Sequence, residues 1–260
     1  MNRRNFIEAM GATGLTMNLQ KNELKESRAA RVFVFEQYFL KNGTQPTRIH
    51  EYFSGPFLEA IHKIHTGPKL FLDALMAPHQ PQAAVLIGFD SITEMLSVYE
   101  KLEADGGWRK GLEKWESGEE PPYEYQSRIL LKATPYCPEW TLPAEAPKGR
   151  KIYELRLYHS PTQRQLTSLH ARFAGPEIKI FHRVGVHPIL YSSTLFGQNM
   201  PNLTYIIPFE NLAAREKAWE AFGQDPEWIK VRKESIDQSG QISISSQISL
   251  YRASAYSPIR

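Results

Sequence analysis

The feature that most constrains this chain is that it is written twice. "HEYFSGPFLEAIHKI" begins at His50, and "HARFAGPEIKIFHRV" begins at His170, 120 residues on. Sliding residues 31–140 over 151–260 needs no gap. Tyr38 falls on Tyr158, His50 on His170, Gly55-Pro56 on Gly175-Pro176, His62 on His182, Trp108 on Trp228, and Tyr136 and Pro138 on Tyr256 and Pro258. About a fifth of the positions are identical, and Trp, His and Pro are prominent among them, which marks duplication rather than chance. Between the copies "CPEWTLPAEAPKGR" carries Pro138, Pro143, Pro147 and Gly149, a composition that resists helix and strand and reads as a semi-rigid linker. The chain therefore divides into an N-terminal tail (1–30), a first repeat (31–138), a linker (139–150) and a second repeat (151–260).

Each copy reads as strand, helix, strand, strand, helix, strand. In the opening strands "RVFVFEQYF" and "KIYELRLYH", Phe33 and Phe35 alternate with Val34, Glu36 and Tyr38, and Tyr153, Leu155 and Leu157 alternate with Glu154, Arg156 and Tyr158. The next helix meets Gly55-Pro56, where proline removes an amide donor and predicts a break before the segment carrying His62. Two strands follow, "KLFLDALM" and "QAAVLIGF" in one copy, "PILYSSTLF" and "NLTYIIPF" in the other. Ser91 and Glu94 form a capping box for a second helix whose apolar face is read as Ile92, Met95, Leu96, Tyr99 and Leu102; Asn211 caps its counterpart, with Leu212, Trp219 and Phe222 on the face. The last strand, "ISISSQISLY", sets Ile242, Ile244, Ile248 and Leu250 against Ser243, Ser245, Gln247 and Ser249, while its partner near Arg128 keeps a different phase and leaves a bulge or slip open.

The order βαββαβ is the ferredoxin-like arrangement, an α+β fold with helices on one face of an antiparallel sheet. The other face is bare. Two tandem repeats packed sheet to sheet bury both bare faces and predict a pseudo-dimeric α/β barrel.

Several residue runs match a known family: Tyr153-Glu154-Leu155-Arg156, Asn202-Leu203-Thr204-Tyr205, Phe209 through Trp219, Asp225-Pro226-Glu227-Trp228, and Tyr256-Ser257-Pro258. Over residues 151–260 the chain resembles the NIPSNAP family of the dimeric α/β-barrel group. The first copy departs from the pattern, with Phe33-Val34-Phe35-Glu36 for the tyrosine-led strand and Gly106-Gly107 for Pro226-Glu227. The resemblance implies the fold and no agreed reaction. Relatives on the same barrel include cofactor-free monooxygenases and haem enzymes, by analogy alone.

Composition bounds the partners. The net charge is +3, and the first 30 residues hold five basic and three acidic side chains, leaving about +1 for the body. Such a body lacks the electrostatic footprint of a nucleic-acid binder. No apolar run reaches the roughly 18 residues of a membrane span. One cysteine, Cys137, excludes an intrachain disulfide and any cysteine-cluster metal site. The N-terminal "MNRRNFIEAMGATGLTMNL" resembles a twin-arginine export signal and implies the periplasm, the alternative being a tail on a cytoplasmic protein.

The candidate ligand site is the face assigned to the lumen: Glu36, Tyr38, Glu154, Arg156 and Tyr158. A carboxylate and a guanidinium in a confined space orient an anionic or hydroxylated small molecule, and the competing reading is a structural ion pair. His50 and His170 are added to the candidate set. Each is twelve residues from its companion, with Gly-Pro between, so neither pair offers metal-ligand spacing, and helix-end capping competes with a role as general base or axial haem ligand. No cofactor is expected, haem being the alternative, and no metal. Trp108, Trp219 and Trp228 read as core. Three functions stay open: a ligand-binding barrel, an enzyme on the same barrel with Arg156 orienting the substrate, and a filled scaffold that recruits a protein or a second copy. An open, polar-lined lumen favours the first two and a packed one the third.

Overall fold

A computed structural model describes residues 30–138, 140 and 149–259. The twin-arginine-like segment and the centre of the linker lie outside the described residues. The alternating segments form strands at the expected places: β1 (Val32–Phe39), β2 (Lys69–Met76), β3 (Gln82–Phe89) and β4 (Tyr125–Ala133) in the first repeat, and β5 (Ile152–His159), β6 (Leu190–Phe196), β7 (Asn202–Phe209) and β8 (Ser245–Ala253) in the second. All pair antiparallel, and the order β1-β3-β2-β8-β5-β7-β6-β4 closes into one barrel. The two sheets join edge to edge at β2–β8 and β4–β6. Each seam carries one register irregularity, between Ala74 and Met76 and between Leu130 and Leu131. Closure removes every open edge, and bulges at the seams supply the bend it needs.

The Gly-Pro dipeptides behave alike in both copies. Helix α1 (Gln45–Tyr52) runs into a wide turn at Phe53–Phe57 and resumes as α2 (Leu58–Ile64), while α5 (Gln163–Arg172) and α6 (Ile178–Arg183) flank the turn Phe173–Glu177. Gly55 and Gly175 leave helical geometry, with ψ of −105° and −113°, next to Pro56 and Pro176. Helices α3 (Ile92–Ala104) and α7 (Leu212–Gln224) start as expected: Ser91 Oγ accepts from the Glu94 N–H at 3.1 Å and Asn211 Oδ1 from the Ala214 N–H at 2.9 Å. Their buried faces are in part those expected, with Leu102 and Phe222 buried and Met95, Tyr99 and Trp219 packed against the core. Ile92, Leu96 and Leu212 are exposed, and Val98, Leu102, Ala218 and Phe222 are buried. On those faces Tyr99 and Trp219 reach the Glu36 and Glu154 carboxylates on the sheet.

Two helices were not expected, α4 (Gly106–Glu116) and α8 (Pro226–Ser239). Asp105 and Asp225 cap them, accepting from the Trp108 and Trp228 N–H groups at 2.9 and 3.0 Å. Each repeat is therefore βαββααβ, with the first helix kinked. The closing strand also starts later than expected, at Ser245, and leaves Ile244 and Ile248 exposed.

Three cores follow. One lies between each sheet and its helices, and the third fills part of the barrel with Phe33, Phe35, Leu72, Leu86, Leu131, Trp140, Tyr153, Ile206 and Tyr251. No helix among the described residues is long and apolar enough to cross a membrane.

Candidate functional site

The phase of the strands decides which side chains meet in the barrel. Phe33 and Phe35 belong to the lumen core, whereas Val34 and Tyr38 pack under the helices. The expectation that Glu36, Tyr38, Glu154, Arg156 and Tyr158 face the lumen is therefore corrected: these side chains point outward, beneath the helix layer. The physical reason is that closing a barrel over two sheets requires the more apolar face inside, and a helix can bring polar partners down to buried charges where an opposing strand cannot.

Those partners saturate the charges. Glu154 is fully buried; Arg156 Nε donates to Oε1 at 2.5 Å, Arg215 Nε to Oε2 at 2.7 Å, and Trp219 Nε1 to Oε2 at 2.9 Å. Arg156 also donates to Tyr158 Oη at 3.0 Å and lies 3.6 Å above the Trp219 ring. Burial works against its charge, but Tyr158, Tyr205 and Glu154 outweigh burial and hold its pKa above the ordinary value. In the first repeat Glu36 accepts from Tyr38 Oη at 2.9 Å, Tyr99 Oη at 3.0 Å, Gln126 Nε2 at 3.2 Å and Arg128 Nε at 2.9 Å. Glu36 and Arg156 occupy equivalent positions but never meet. Each cluster ties a helix, α3 or α7, to its own sheet, and a carboxylate so fully bonded has no lone pair aimed at a ligand.

The histidines face the junction between repeats. His50 Nδ1 lies 2.9 Å from Tyr256 Oη, and His170 Nδ1 lies 2.8 Å from Tyr136 Oη, so each bonds the closing tyrosine of the other repeat. His170 Nε2 lies 2.9 Å from Ser193 Oγ, and His50 Nε2 lies 3.7 Å from Asp73 Oδ1. Asp73 and Ser193 are equivalent positions. With both ring nitrogens engaged, His170 has to release Ser193 to take a haem iron. No group of three His, Cys, Asp or Glu side chains suited to a metal ion occurs among the described residues.

The open space in the barrel was not anticipated at residue level. A chamber of about 420 Å³ occupies the end of the lumen where β1 and β5 finish and β4 and β8 begin. Both repeats line it. One arc carries Gln37, Gln82, Gln247 and Ser249; another carries Ile129, Leu131, Leu155 and Leu157. Equivalent positions differ in character: Gln37 matches Leu157, and Ile129 matches Ser249. None of the lining residues is Asp, Glu, Lys, Arg or His. Phe33, Tyr153 and Trp140 fill the opposite end of the barrel, with Trp140 5.7 Å from the Phe33 ring.

Gln82 is the polar centre of this chamber. Its side chain is only 4% exposed, and its amide nitrogen donates to Tyr251 Oη at 2.8 Å, which also accepts from Gln37 Nε2 at 3.2 Å. Gln82 Oε1 has no hydrogen-bond partner. Turning the amide over merely transfers the vacancy to its nitrogen. Burial pushes the Tyr251 hydroxyl pKa up, against the opposing effect of the Gln37, Gln82 and Ser249 hydrogen bonds. The signal for this site was present: Gln37 stands on the Phe33–Phe35 face, a polar residue in an apolar alternation.

Residues 153–258 match the model of the NIPSNAP family. Among solved structures the chain is similar to a monooxygenase-like protein from Lactobacillus acidophilus, with 12% identity over 86% of this chain and 94% of that one and a TM-score of 0.51. A monooxygenase-like protein from Fusobacterium nucleatum has 7% identity over 86% and 93%, with a TM-score of 0.52. A NIPSNAP family protein of unknown function from Agrobacterium tumefaciens covers 44% of this chain and 98% of its own, at 16% identity and a TM-score of 0.38. A search of curated proteins found no match. At such identities the likeness to these structures is one of fold.

Proposed function

Residues 153–258 are a NIPSNAP domain, and from that premise we propose that the chain binds an uncharged small organic molecule in the barrel chamber. The observation that carries this reading is an open space of about 420 Å³ inside the barrel, lined by both repeats with uncharged polar and apolar side chains. The chamber falls within the roughly 300–1,000 Å³ of small-molecule sites. The ligand is neutral because the lining offers no counter-charge, and an unpaired charge in such a place is strongly disfavoured. It carries a hydroxyl or carbonyl for the glutamine arc and an apolar body for Ile129, Leu131, Leu155 and Leu157. An open, half-polar chamber supports ligand binding over a filled scaffold.

Native mass spectrometry of the full chain, followed by thermal denaturation with neutral hydroxylated aromatics, tests the proposal. The expected result is a retained or stabilising molecule whose binding is weakened in Leu157→Trp, which projects an indole into the chamber. Equal binding by the wild type and Leu157→Trp overturns it, as does the absence of any bound or stabilising compound.

A further inference from the structure

The two histidine junctions are equivalent by duplication but not in chemistry. In the first, Asp73 accepts from Ser254 Oγ at 2.6 Å and Arg150 Nη2 at 3.1 Å, and His50 completes a filled polar cluster. In the second, the aspartate is replaced by Ser193. The hydroxyl of Ser193 lies 2.9 Å from His170 Nε2, and His170 Nδ1 lies 2.8 Å from Tyr136 Oη. All three side chains line a cleft of about 920 Å³ between the repeats.

We propose that Ser193, His170 and Tyr136 form a second, catalytic site, in which Ser193 is the nucleophile of an esterase acting on small carboxylic esters. Its geometry meets the requirement for an activated serine: a hydroxyl within hydrogen-bond reach of an imidazole nitrogen, and a third group that orients the ring. In the tautomer that carries its proton on Nδ1 and donates it to the Tyr136 oxygen, Nε2 is the base facing Ser193. Burial lowers the His170 pKa, which keeps the ring neutral near pH 7. Lys132 is the cross-strand neighbour of Ser193, also lines the cleft, and makes no ion pair among the described residues. Its ammonium is the group available to the oxygen that gains charge. Leu195, Ala171 and Ala174 give the cleft an apolar wall for the acyl chain.

The steps balance with water as the sole co-reactant. Ser193 Oγ bonds to the ester carbonyl carbon as His170 Nε2 takes the hydroxyl proton and the carbonyl electrons move onto oxygen. Collapse breaks the carbon–alkoxide bond, and His170 returns the proton to the departing alcohol. Water then adds to the acyl-serine through the same base, and the acid leaves with Ser193 restored.

The test uses the purified full chain with p-nitrophenyl acetate and butyrate, and a fluorophosphonate probe located by peptide mass. The expected outcome is an adduct on Ser193 and a loss of at least about 100-fold in kcat/KM for Ser193→Ala, whose thermal midpoint stays that of the wild type. Tyr136→Phe, a positioning change, lowers kcat and leaves KM unchanged. Hydrolysis that is equal in the wild type and Ser193→Ala, or a probe that never labels Ser193, overturns the proposal and leaves the three residues as a junction between repeats.

Discussion

Glu154 shows what a buried charge requires. Two guanidinium groups and an indole N–H converge on one carboxylate that water does not reach. Taking such a group out of water costs several kcal/mol, and its partners return about as much, so the cluster adds specificity of packing more than stability. Removing one member is different. Glu154→Leu leaves the half-buried Arg156 without its carboxylate, while Arg215 keeps Glu216, and about 3–5 kcal/mol of stability should be lost in urea unfolding. Arg215→Met leaves Glu154 with Arg156 and Trp219 and should cost clearly less. Glu177 offers a pH readout at the same scale. Burial pushes its pKa from 4.5 up to about 7, although Arg172 Nε donates to it at 2.6 Å. The folded chain therefore keeps a proton that the unfolded chain has released, and this group's contribution to stability falls as pH rises from about 4.5 to about 7. Below that window both states are protonated, and above it both are ionised. Glu177→Gln should remove the decline, so its urea midpoint gains on the wild type between pH 5 and pH 8. An equal difference at both pH values contradicts the assignment.

At the scale of elements, helix α4 docks onto the turn at Gly55-Pro56 through Gly111. A Cβ on Gly111 would lie 2.2 Å from Pro56 Cβ, a contact that neither ring nor helix backbone can absorb. Gly111→Ala should therefore destabilise the chain by about 1–3 kcal/mol despite alanine's better helix propensity, and chemical denaturation measures it. The elements themselves were legible where a local rule speaks: alternation located β1, β5 and β8, the segments of β2, β3, β6 and β7 were read in both copies, β4 was placed only near Arg128, and the Ser91 and Asn211 caps placed α3 and α7. Helices α4 and α8 were not read, because Gly106-Gly107 and Pro226 look like breakers until Asp105 and Asp225 are recognised as caps and the proline as a first-turn residue. The buried face of α3 was legible in part, with Met95, Tyr99 and Leu102 on it and Ile92 and Leu96 outside it. The bond from Tyr99 to Glu36 that anchors it joins residues 63 positions apart, which no local periodicity contains.

At the scale of the molecule, duplication was enough to predict a barrel, since two bare sheets have one economical way to leave water. It did not say which face went inside. Charge pattern alone pointed to the Glu36 and Arg156 face, and the answer depended on which side the helices could supply with donors. The junction residues lock the closure, because the closing tyrosine of each repeat bonds a helix of the other. Tyr136→Phe and Tyr256→Phe should each lose about 1 kcal/mol, and because the sites share no partner, the double variant should lose close to the sum in equilibrium unfolding. A large departure from additivity would mean that the two junctions are coupled through the barrel.

Joining the halves in one polypeptide has a last consequence. In a pair of identical subunits every change to the inner wall is made twice, so a compartment on the axis presents the same surroundings to both ends of a guest. Here Gln37 faces a duty that Leu157 need not share, and Ser249 one that Ile129 need not share. The enclosed space thus presents unlike groups at positions that symmetry would have made alike, and a guest with unlike ends meets different neighbours in its two orientations.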